Sequence, residues 1–208
     1  MQRSSHFRQK VVCLSEEVVR SCLDMKDCLA VNRQAFIDLA QAKAVVPTRI
    51  AIPYHDQNDG LKTTATTAAA ATDFSLFKPA AIPHRDLMAI KLVSIRQHNP
   101  SRHGLPLVPA TIVSMDPSTG LVNGLVAATY LTAARTATGS ALTTALYQPN
   151  LQRLVILGAG LQARLHICAV ATALARPIPH VTIVNRTLAN AETLVAEMQA
   201  MSEPWVSG

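Results

Sequence analysis

The stretch that decides the fold is LVILGAGLQARLHICAVATALA at residues 154–175, followed by VTIV at residues 181–184. Its pattern predicts a short apolar strand, a glycine turn, a helix and a second apolar strand. Elements in this order form one βαβ unit, which opens a dinucleotide-binding domain. The sequence therefore predicts an α/β protein whose residues 151–208 are the first half of a Rossmann domain.

The glycine turn is the first candidate site. It fits the GxGxxG/A pattern, in which glycines permit a tight turn and let a pyrophosphate approach the free N–H groups of a helix N-terminus. The alternative is a glycine-containing turn of another α/β protein. The predicted cofactor-binding residues of the turn are Gly158, Ala159, Gly160, Leu161 and Gln162.

The second candidate site follows VTIV, where the residues are Asn185, Arg186 and Thr187. A site for NAD usually places an acid there to bind the ribose hydroxyls, whereas this segment has no carboxylate that would repel a phosphate. At about 4 Å, a guanidinium attracts one phosphate charge by about 1 kcal/mol in water and about 4 kcal/mol at an effective dielectric of 20. These three residues predict NADP(H) in preference to NAD(H), unless Arg186 is a solvated surface charge.

The chain before the glycine turn predicts a mixture of helices and strands. The tract from Thr63 to Thr72 is rich in threonine and alanine and is expected to be a loop. The remaining pattern predicts helices starting at Ser15 and Asp24, strands over Val45–Pro53 and Leu87–Ile95, a hairpin of PATIVSM with LVNGLVA, and a helix over Thr129–Tyr147.

Three basic residues stand in segments that otherwise lack charge. Lys91 lies within the apolar AIKLVSI, and Arg135 is alone between Asp116 and Arg153. A buried cation is costly unless it meets an anion, so both residues are candidates for binding an acidic ligand. Edge strands also carry protective lysines, and an arginine can extend to solvent from a buried helix. Arg49, on the predicted strand over Val45–Pro53, leaves the same two interpretations open.

Composition excludes several classes of protein. Of the 208 residues, 49% are hydrophobic and only 15% are charged, which excludes a disordered chain. Nineteen basic residues against thirteen acidic ones give a formal charge of +6. The basic residues are scattered along the chain, and only eight side chains are aromatic, so few rings are available to stack on bases. We therefore expect no nucleic-acid partner. The uncharged stretch Pro117–Ala134 contains proline, glycine and hydroxyl residues, so we expect no membrane span.

Cysteine usage and the N-terminus bear on the compartment. The four cysteines form no CxxC pair and show no ligand spacing with histidine, so neither a metal site nor a disulfide framework is predicted. A cytoplasmic location is expected. Residues 1–12 form a basic extension that contains no acid, which leaves mitochondrial targeting as the alternative.

A series of short motifs identifies a family. VPTR, AIKLVS, PATIVSMDPSTG, TYLTAARTATGSA, VILGAGLQARLH and VNRT occur in an order and at separations that resemble the ornithine cyclodeaminase/mu-crystallin family. The resemblance implies that residues 13–150 form an α+β domain that binds substrate and pairs two subunits into a homodimer. Residues 151–208 would be the partial Rossmann domain that follows it.

The resemblance also implies roles for single residues. Arg49, Lys91 and Arg135 would hold the carboxylate of a small amino or imino acid beside the nicotinamide, and Lys91 would be the catalytic residue. Thr111, Arg135 and Thr136 would bind the cofactor together with the glycine turn.

Asn185, Arg186 and Thr187 look like the mu-crystallin/ketimine reductase branch, which implies reduction of a cyclic ketimine carboxylate with NADPH. The alternatives are NAD-dependent ornithine cyclodeamination, which yields proline and ammonia, a non-catalytic binding protein, and an inactive fragment. Two departures from the family pattern leave open whether this chain is enzymatically active. Ala127 and Ala128 replace a common Asp-Gly pair, and the chain ends before the aspartate that the family uses as general acid/base. We therefore expect a truncated member.

Overall fold

The computed structural model describes residues 9–54 and 73–201. The described chain divides into two compact units. Unit 1 combines the residues up to Val19 with Asp38–Thr129, and unit 2 combines Arg20–Ile37 with the residues from Tyr130 onward. The predicted loop at Thr63–Thr72 and most of the basic extension lie outside the described residues.

Unit 1 contains a six-stranded sheet with the strand order β1-β6-β5-β4-β3-β2. β1 pairs with β6 in parallel, and every other neighbouring pair is antiparallel. The strands are β1 (Val12–Leu14), β2 (Ile50–Tyr54), β3 (Asp73–Ile82), β4 (Leu87–Ile95), β5 (Ala110–Met115) and β6 (Val122–Ala127).

The hairpin of β5 and β6 is confirmed, and local chemistry explains its turn. The Asp116 carboxylate accepts hydrogen bonds from the backbone N–H groups of Ser118 at 2.8 Å and Thr119 at 3.0 Å. A hydrogen bond from the Ser118 hydroxyl at 2.6 Å, followed by these two backbone bonds, lowers the pKa of Asp116. Gly120 completes the turn at a φ of +72°, a conformation that glycine adopts without steric cost.

The strand predicted over Val45–Pro53 begins later than expected. β2 starts at Ile50, which pairs with Phe77, whereas Val45 forms only an isolated bridge with Ala81. Residues 46–49 between these two points lie outside any strand, because Pro47 has no N–H group for a ladder. β3 was not predicted, since Pro79 interrupts its sequence pattern in the same way.

Unit 2 contains the predicted βαβ unit. β7 (Arg153–Leu157) and β8 (His180–Val184) are parallel and adjacent, and α4 (Leu161–Leu174) connects them. The fold class is therefore confirmed as α/β with the start of a Rossmann-like domain. The other α-helices among the described residues are α1 (Glu16–Cys22), α2 (Met25–Ala40), α3 (Thr129–Tyr147) and α5 (Leu188–Ala200).

Small side chains form much of the core of unit 2. One face of α3 buries four alanines, and α4 buries Ile167 completely within the same cluster. Alanine lets helices approach closely without leaving cavities. The four alanines of α3 are Ala133, Ala134, Ala137 and Ala141.

The position of α3 bears on the domain boundary. The sequence assigned residues 13–150 to the first domain, but α3 belongs to unit 2 because its alanine face packs in the same cluster as α4. The assignment of substrate binding to one domain and cofactor binding to the other stays a prediction. Among the described helices, none has the length and apolar character needed to cross a bilayer.

Candidate functional site

The glycine turn follows β7 directly. Gly158 has a φ of +102°, and its N–H group donates to the Val184 carbonyl at 2.8 Å, which ties the turn to the end of β8. A Cβ atom built on Gly158 or Gly160 would meet no heavy atom within 4 Å. The backbone here is open to the close approach of a ligand, as a pyrophosphate requires.

The turn leads into the N-terminus of α4. Gly160 precedes the helix in an extended conformation, and no side chain caps the helix there. The first N–H groups of a helix have no acceptor within the helix, and the helix dipole adds partial positive charge at this end. This end of α4 therefore fits an anionic group such as a phosphate.

Asn185, Arg186 and Thr187 lie at the same edge as the glycine turn, because Val184 at the end of β8 pairs with Leu157 at the end of β7. The Asn185 side-chain amide donates to the Thr187 carbonyl at 2.7 Å. Arg186 is exposed. The first acidic residue after β8 is Glu192, within α5, so the loop itself presents only a cation and polar groups.

Arg135 and Thr136 also lie in unit 2, on α3. Arg135 lines a small recess that is mostly apolar, and burial lowers the pKa of its guanidinium. Arg135 is nevertheless exposed, which agrees with an arginine that extends to solvent from an otherwise buried helix. Asn32 fixes the helix locally by donating to the Arg135 carbonyl at 2.8 Å, and the Thr136 hydroxyl donates to the Thr132 carbonyl at 2.7 Å.

Lys91 and Arg49 lie in unit 1. Lys91 is half-buried on β4, between Lys78 of β3 and Ile112 of β5. The interpretation of Lys91 as an edge-protecting lysine is wrong, because β4 is an internal strand. Arg49 was predicted within a strand but is an exposed residue that directly precedes β2.

Thr111 lies on β5 opposite Leu92, the residue that follows Lys91 on β4. Neighbouring residues of a strand point to opposite faces, so Thr111 and Lys91 lie on different faces of the sheet. Unit 1 therefore does not bring these two predicted site residues together. The pairing of Lys78 with Lys91 was not foreseen, because Lys78 lies in the unpredicted β3.

Histidine, cysteine and acidic side chains form no cluster of three that could hold a metal within residues 9–54 and 73–201. None of the four cysteines, which all lie within the described residues, forms a disulfide; Cys28 and Cys168 are buried and the other two are exposed.

The glycine turn, the open N-terminus of α4 and the parallel strand pair define the class of protein as a dinucleotide-binding α/β protein. The chain belongs to the ornithine cyclodeaminase/mu-crystallin family, whose model matches residues 9–207.

Relatives of known sequence or structure are about twice as long. An uncharacterized cyclodeaminase of Dictyostelium discoideum is 31% identical over 197 residues, which are 91% of this chain and 51% of the relative. The structure of Thermococcus litoralis Δ1-pyrroline-2-carboxylate reductase in complex with NADH and L-proline has a TM-score of 0.78 at 28% identity. It matches 90% of this chain and 53% of that protein.

An archaeal alanine dehydrogenase dimer with bound NAD matches with a TM-score of 0.76 at 22% identity, over 91% of this chain and 53% of that one. At this identity the likeness concerns the fold alone. The chain spans about half the length of the curated relatives it matches.

Proposed function

We propose that the chain is part of an NADPH-dependent oxidoreductase that reduces a cyclic ketimine carboxylate to the corresponding cyclic amino acid. The observation that carries the proposal is the open glycine turn at the start of α4, with Arg186 beside it at the end of β8. The Thermococcus litoralis relative, which binds NADH and L-proline, supports a nicotinamide dinucleotide and a small cyclic amino acid. The preference for the phosphorylated cofactor rests on Arg186.

The residues of unit 2 fit the cofactor. Gly158 and Gly160 leave room for the pyrophosphate, and the N–H groups that open α4 would bind its oxygens. Arg186 would pair with the 2′-phosphate, with Asn185 and Thr187 beside it. When bound, the nicotinamide supplies the hydride, and the protein supplies orientation and electrostatics.

Cationic side chains would position the substrate. Lys91 is proposed as the catalytic residue, with its ammonium holding the substrate carboxylate, and Arg49 and Arg135 are proposed as substrate-binding residues. In such a reaction hydride would add to the carbon of the protonated C=N bond, and the nitrogen would keep the electron pair of that bond as the amine forms. Fixing the carboxylate orients this carbon, which is a positioning contribution to the rate. Thr111 and Thr136 remain proposed cofactor contacts.

Cyclodeamination is the second candidate, favoured by the Dictyostelium discoideum relative that is named a cyclodeaminase. In that reaction ornithine gives up a hydride from its α-carbon, the ring closes with loss of ammonia, and the hydride returns to form proline. Ammonia release from ornithine with NAD would identify it. NADPH oxidation by a cyclic ketimine without ammonia release would identify the reductase.

A homodimer and a cytoplasmic location complete the proposal. Ile50, Ile52 and Tyr54 alternate along β2 and are all exposed, which supports a second copy covering this edge of unit 1. Four cysteines that form no disulfide among the described residues support a reducing compartment. Sedimentation at increasing protein concentration would show the dimer.

The first experiment titrates the chain with NADPH and NADH at one salt concentration, with cofactor fluorescence as the readout. NADPH should bind more tightly, and Arg186→Met should reduce the NADPH preference by about five- to tenfold, equivalent to about 1 kcal/mol. Arg153→Met is the matched control, because Arg153 begins β7 at the edge opposite the glycine turn. Equal affinities in the unmodified chain, or tighter binding of NADH, would contradict the cofactor assignment.

A further inference from the structure

We infer that His166 is a positioning residue for cofactor binding: through Ser140, it fixes where the first turn of α4 lies along α3. The inference rests on the proposed function, because it concerns how the glycine turn and the N-terminus of α4 are presented to a dinucleotide. Both helices lie in unit 2, so the argument needs only the packing inside that unit.

His166 forms hydrogen bonds through both nitrogens of its ring. Nδ1 lies 2.7 Å from the carbonyl oxygen of Gln162, and Nε2 lies 3.2 Å from the hydroxyl oxygen of Ser140. A carbonyl oxygen only accepts, so Nδ1 carries the hydrogen and donates it to Gln162. Nε2 of the neutral ring then accepts, and the Ser140 hydroxyl donates to it. The ring therefore links a backbone group of α4 to a side chain of α3.

The two ends of this link lie in elements that carry proposed cofactor contacts. Gln162 lies in the first turn of α4, and Ser140 lies one turn after Thr136 on α3. The Ser140 hydroxyl oxygen also lies 3.5 Å from the Thr136 carbonyl, so the contact with His166 is the shorter of the two. The link thus joins the glycine turn to the part of α3 that carries Thr136.

The packing of unit 2 explains why a directional bond matters here. In the shared apolar cluster, α3 contributes small side chains such as Ala137 and Ala141, and α4 contributes Ala163 near its start. Apolar contact has no preferred direction, so it sets the spacing of two helices more firmly than their positions along each other. A hydrogen bond depends on both distance and angle. The bond between His166 and Ser140 therefore defines an axial position that alanine packing defines weakly.

The axial position of the first turn of α4 decides how its N–H groups meet a ligand. Gly160, which precedes the helix, provides no side chain to cap it. The turn therefore depends on tertiary contacts, and His166 supplies one of them through the Gln162 carbonyl. Hydrogen bonds from N–H groups to oxygen span only about 2.7–3.2 Å, so a shift of the turn by about 1 Å would weaken binding of a pyrophosphate.

The experiment measures the dissociation constants of NADPH and NADH for the whole chain by cofactor fluorescence, with thermal unfolding recorded for every variant. Ser140→Ala and His166→Ala should each weaken both cofactors by about three- to tenfold, which corresponds to one hydrogen bond. The ratio of the two affinities should not change, because the pyrophosphate is common to both cofactors. The double variant should bind no more weakly than His166→Ala alone, since both substitutions remove the same bond.

A matched control and two further substitutions test the link itself. Thr143→Val removes an exposed hydroxyl of α3 that bonds to the Gly139 carbonyl of the same helix, and it should leave both affinities unchanged. His166→Gln places an amide near the former Nε2 and can keep the bond to Ser140, whereas His166→Asn can keep only the bond to Gln162. His166→Gln should therefore retain most of the affinity, and His166→Asn should behave like His166→Ala.

The outcomes separate this inference from the proposed function. Unchanged cofactor affinities in Ser140→Ala and His166→Ala would overturn the inference, even with a lower unfolding temperature, because the link would then only stabilise the fold. A loss in His166→Gln as large as in His166→Ala would also contradict it. Ser140→Ala puts a better helix former at an exposed helical position, so it should remain folded and decide the question by itself. If the unmodified chain binds neither cofactor, the proposed function is wrong and the inference falls with it.

Discussion

The two units bury their apolar surface in different ways. Unit 2 packs the alanine face of α3 and the apolar face of α4 into one cluster, in which Ala134, Ala137 and Ile167 are fully buried. In unit 1, the internal strands β4 and β5 bury Val93 and Ala110 but leave most of their described side chains half-buried. The helical cluster is a closed apolar core, whereas the sheet retains solvent-accessible faces.

The difference in packing gives the two units different properties. Close packing of small side chains on α3 and α4 holds the glycine turn on a firm support, because a dense interior resists displacement. The half-buried faces of the sheet can hold charged groups such as Lys78 and Lys91, which a dense interior would exclude. Unit 2 therefore supports an open glycine turn, and the sheet of unit 1 carries charged side chains on half-buried faces.

The prediction with the largest expected effect compares the loss of a buried side chain in unit 2 with the loss of an exposed side chain in unit 1. Ile167→Ala should lower the free energy of unfolding by about 2–5 kcal/mol, because it removes a completely buried side chain and leaves a cavity. Ile52→Ala, on exposed β2, should cost less than about 1 kcal/mol. Urea denaturation followed by circular dichroism measures both. Similar losses for the two variants would refute the contrast between the units.

A second prediction compares one glycine turn from each unit. Gly158 and Gly120 both have positive φ values, and a Cβ added at either would meet no heavy atom within 4 Å, so alanine there should cost about 1–2 kcal/mol through backbone strain alone. Only Gly158→Ala should also weaken NADPH binding, by about tenfold or more, because its Cβ would enter the space offered to the pyrophosphate. Cofactor titration and thermal unfolding separate the two effects. Equal NADPH affinities in the Gly158→Ala and Gly120→Ala variants would contradict the assignment of Gly158 to the cofactor site.

The smallest effect is a pH dependence in the core of unit 2. Burial raises the pKa of the Cys28 thiol above its ordinary value of 9.0, while a contact of 3.7 Å with the Thr138 hydroxyl opposes the change. The unfolded chain then releases this proton first, so the contribution to stability is complete below about pH 9 and is lost as the pH rises through the folded pKa.

The free energy of unfolding should therefore fall as the pH rises above about 9, by no more than about 1.4 kcal/mol per pH unit for this proton. Cys28→Ala should flatten the decline, whereas Cys22→Ala, at an exposed cysteine, should not. Urea titrations at several pH values measure the slope. A decline that is unchanged in Cys28→Ala would assign it to other groups, such as Tyr130, whose pKa is also raised by burial.

Local patterns predicted much of the fold. The apolar runs and the glycine turn identified β7, α4 and β8, and the turn residues around Asp116 identified the hairpin of β5 and β6. The helix over Thr129–Tyr147 was predicted with its observed bounds. Such elements are encoded over a few residues, by periodicity and turn chemistry, and their prediction needs no knowledge of distant neighbours.

The sequence itself determined the family, through a series of short motifs along the chain, and the glycine turn, because strand, glycine and helix signals lie within one continuous stretch. Only the tertiary structure decided that β4 is an internal strand, that Thr111 faces away from Lys91, and that Lys78 lies opposite Lys91. These facts depend on strand order and register, which join residues far apart in the chain. A shift of the strand pairing by one residue would move every side chain of the shifted strand to the opposite face of the sheet, and no local pattern in β3 specifies its register.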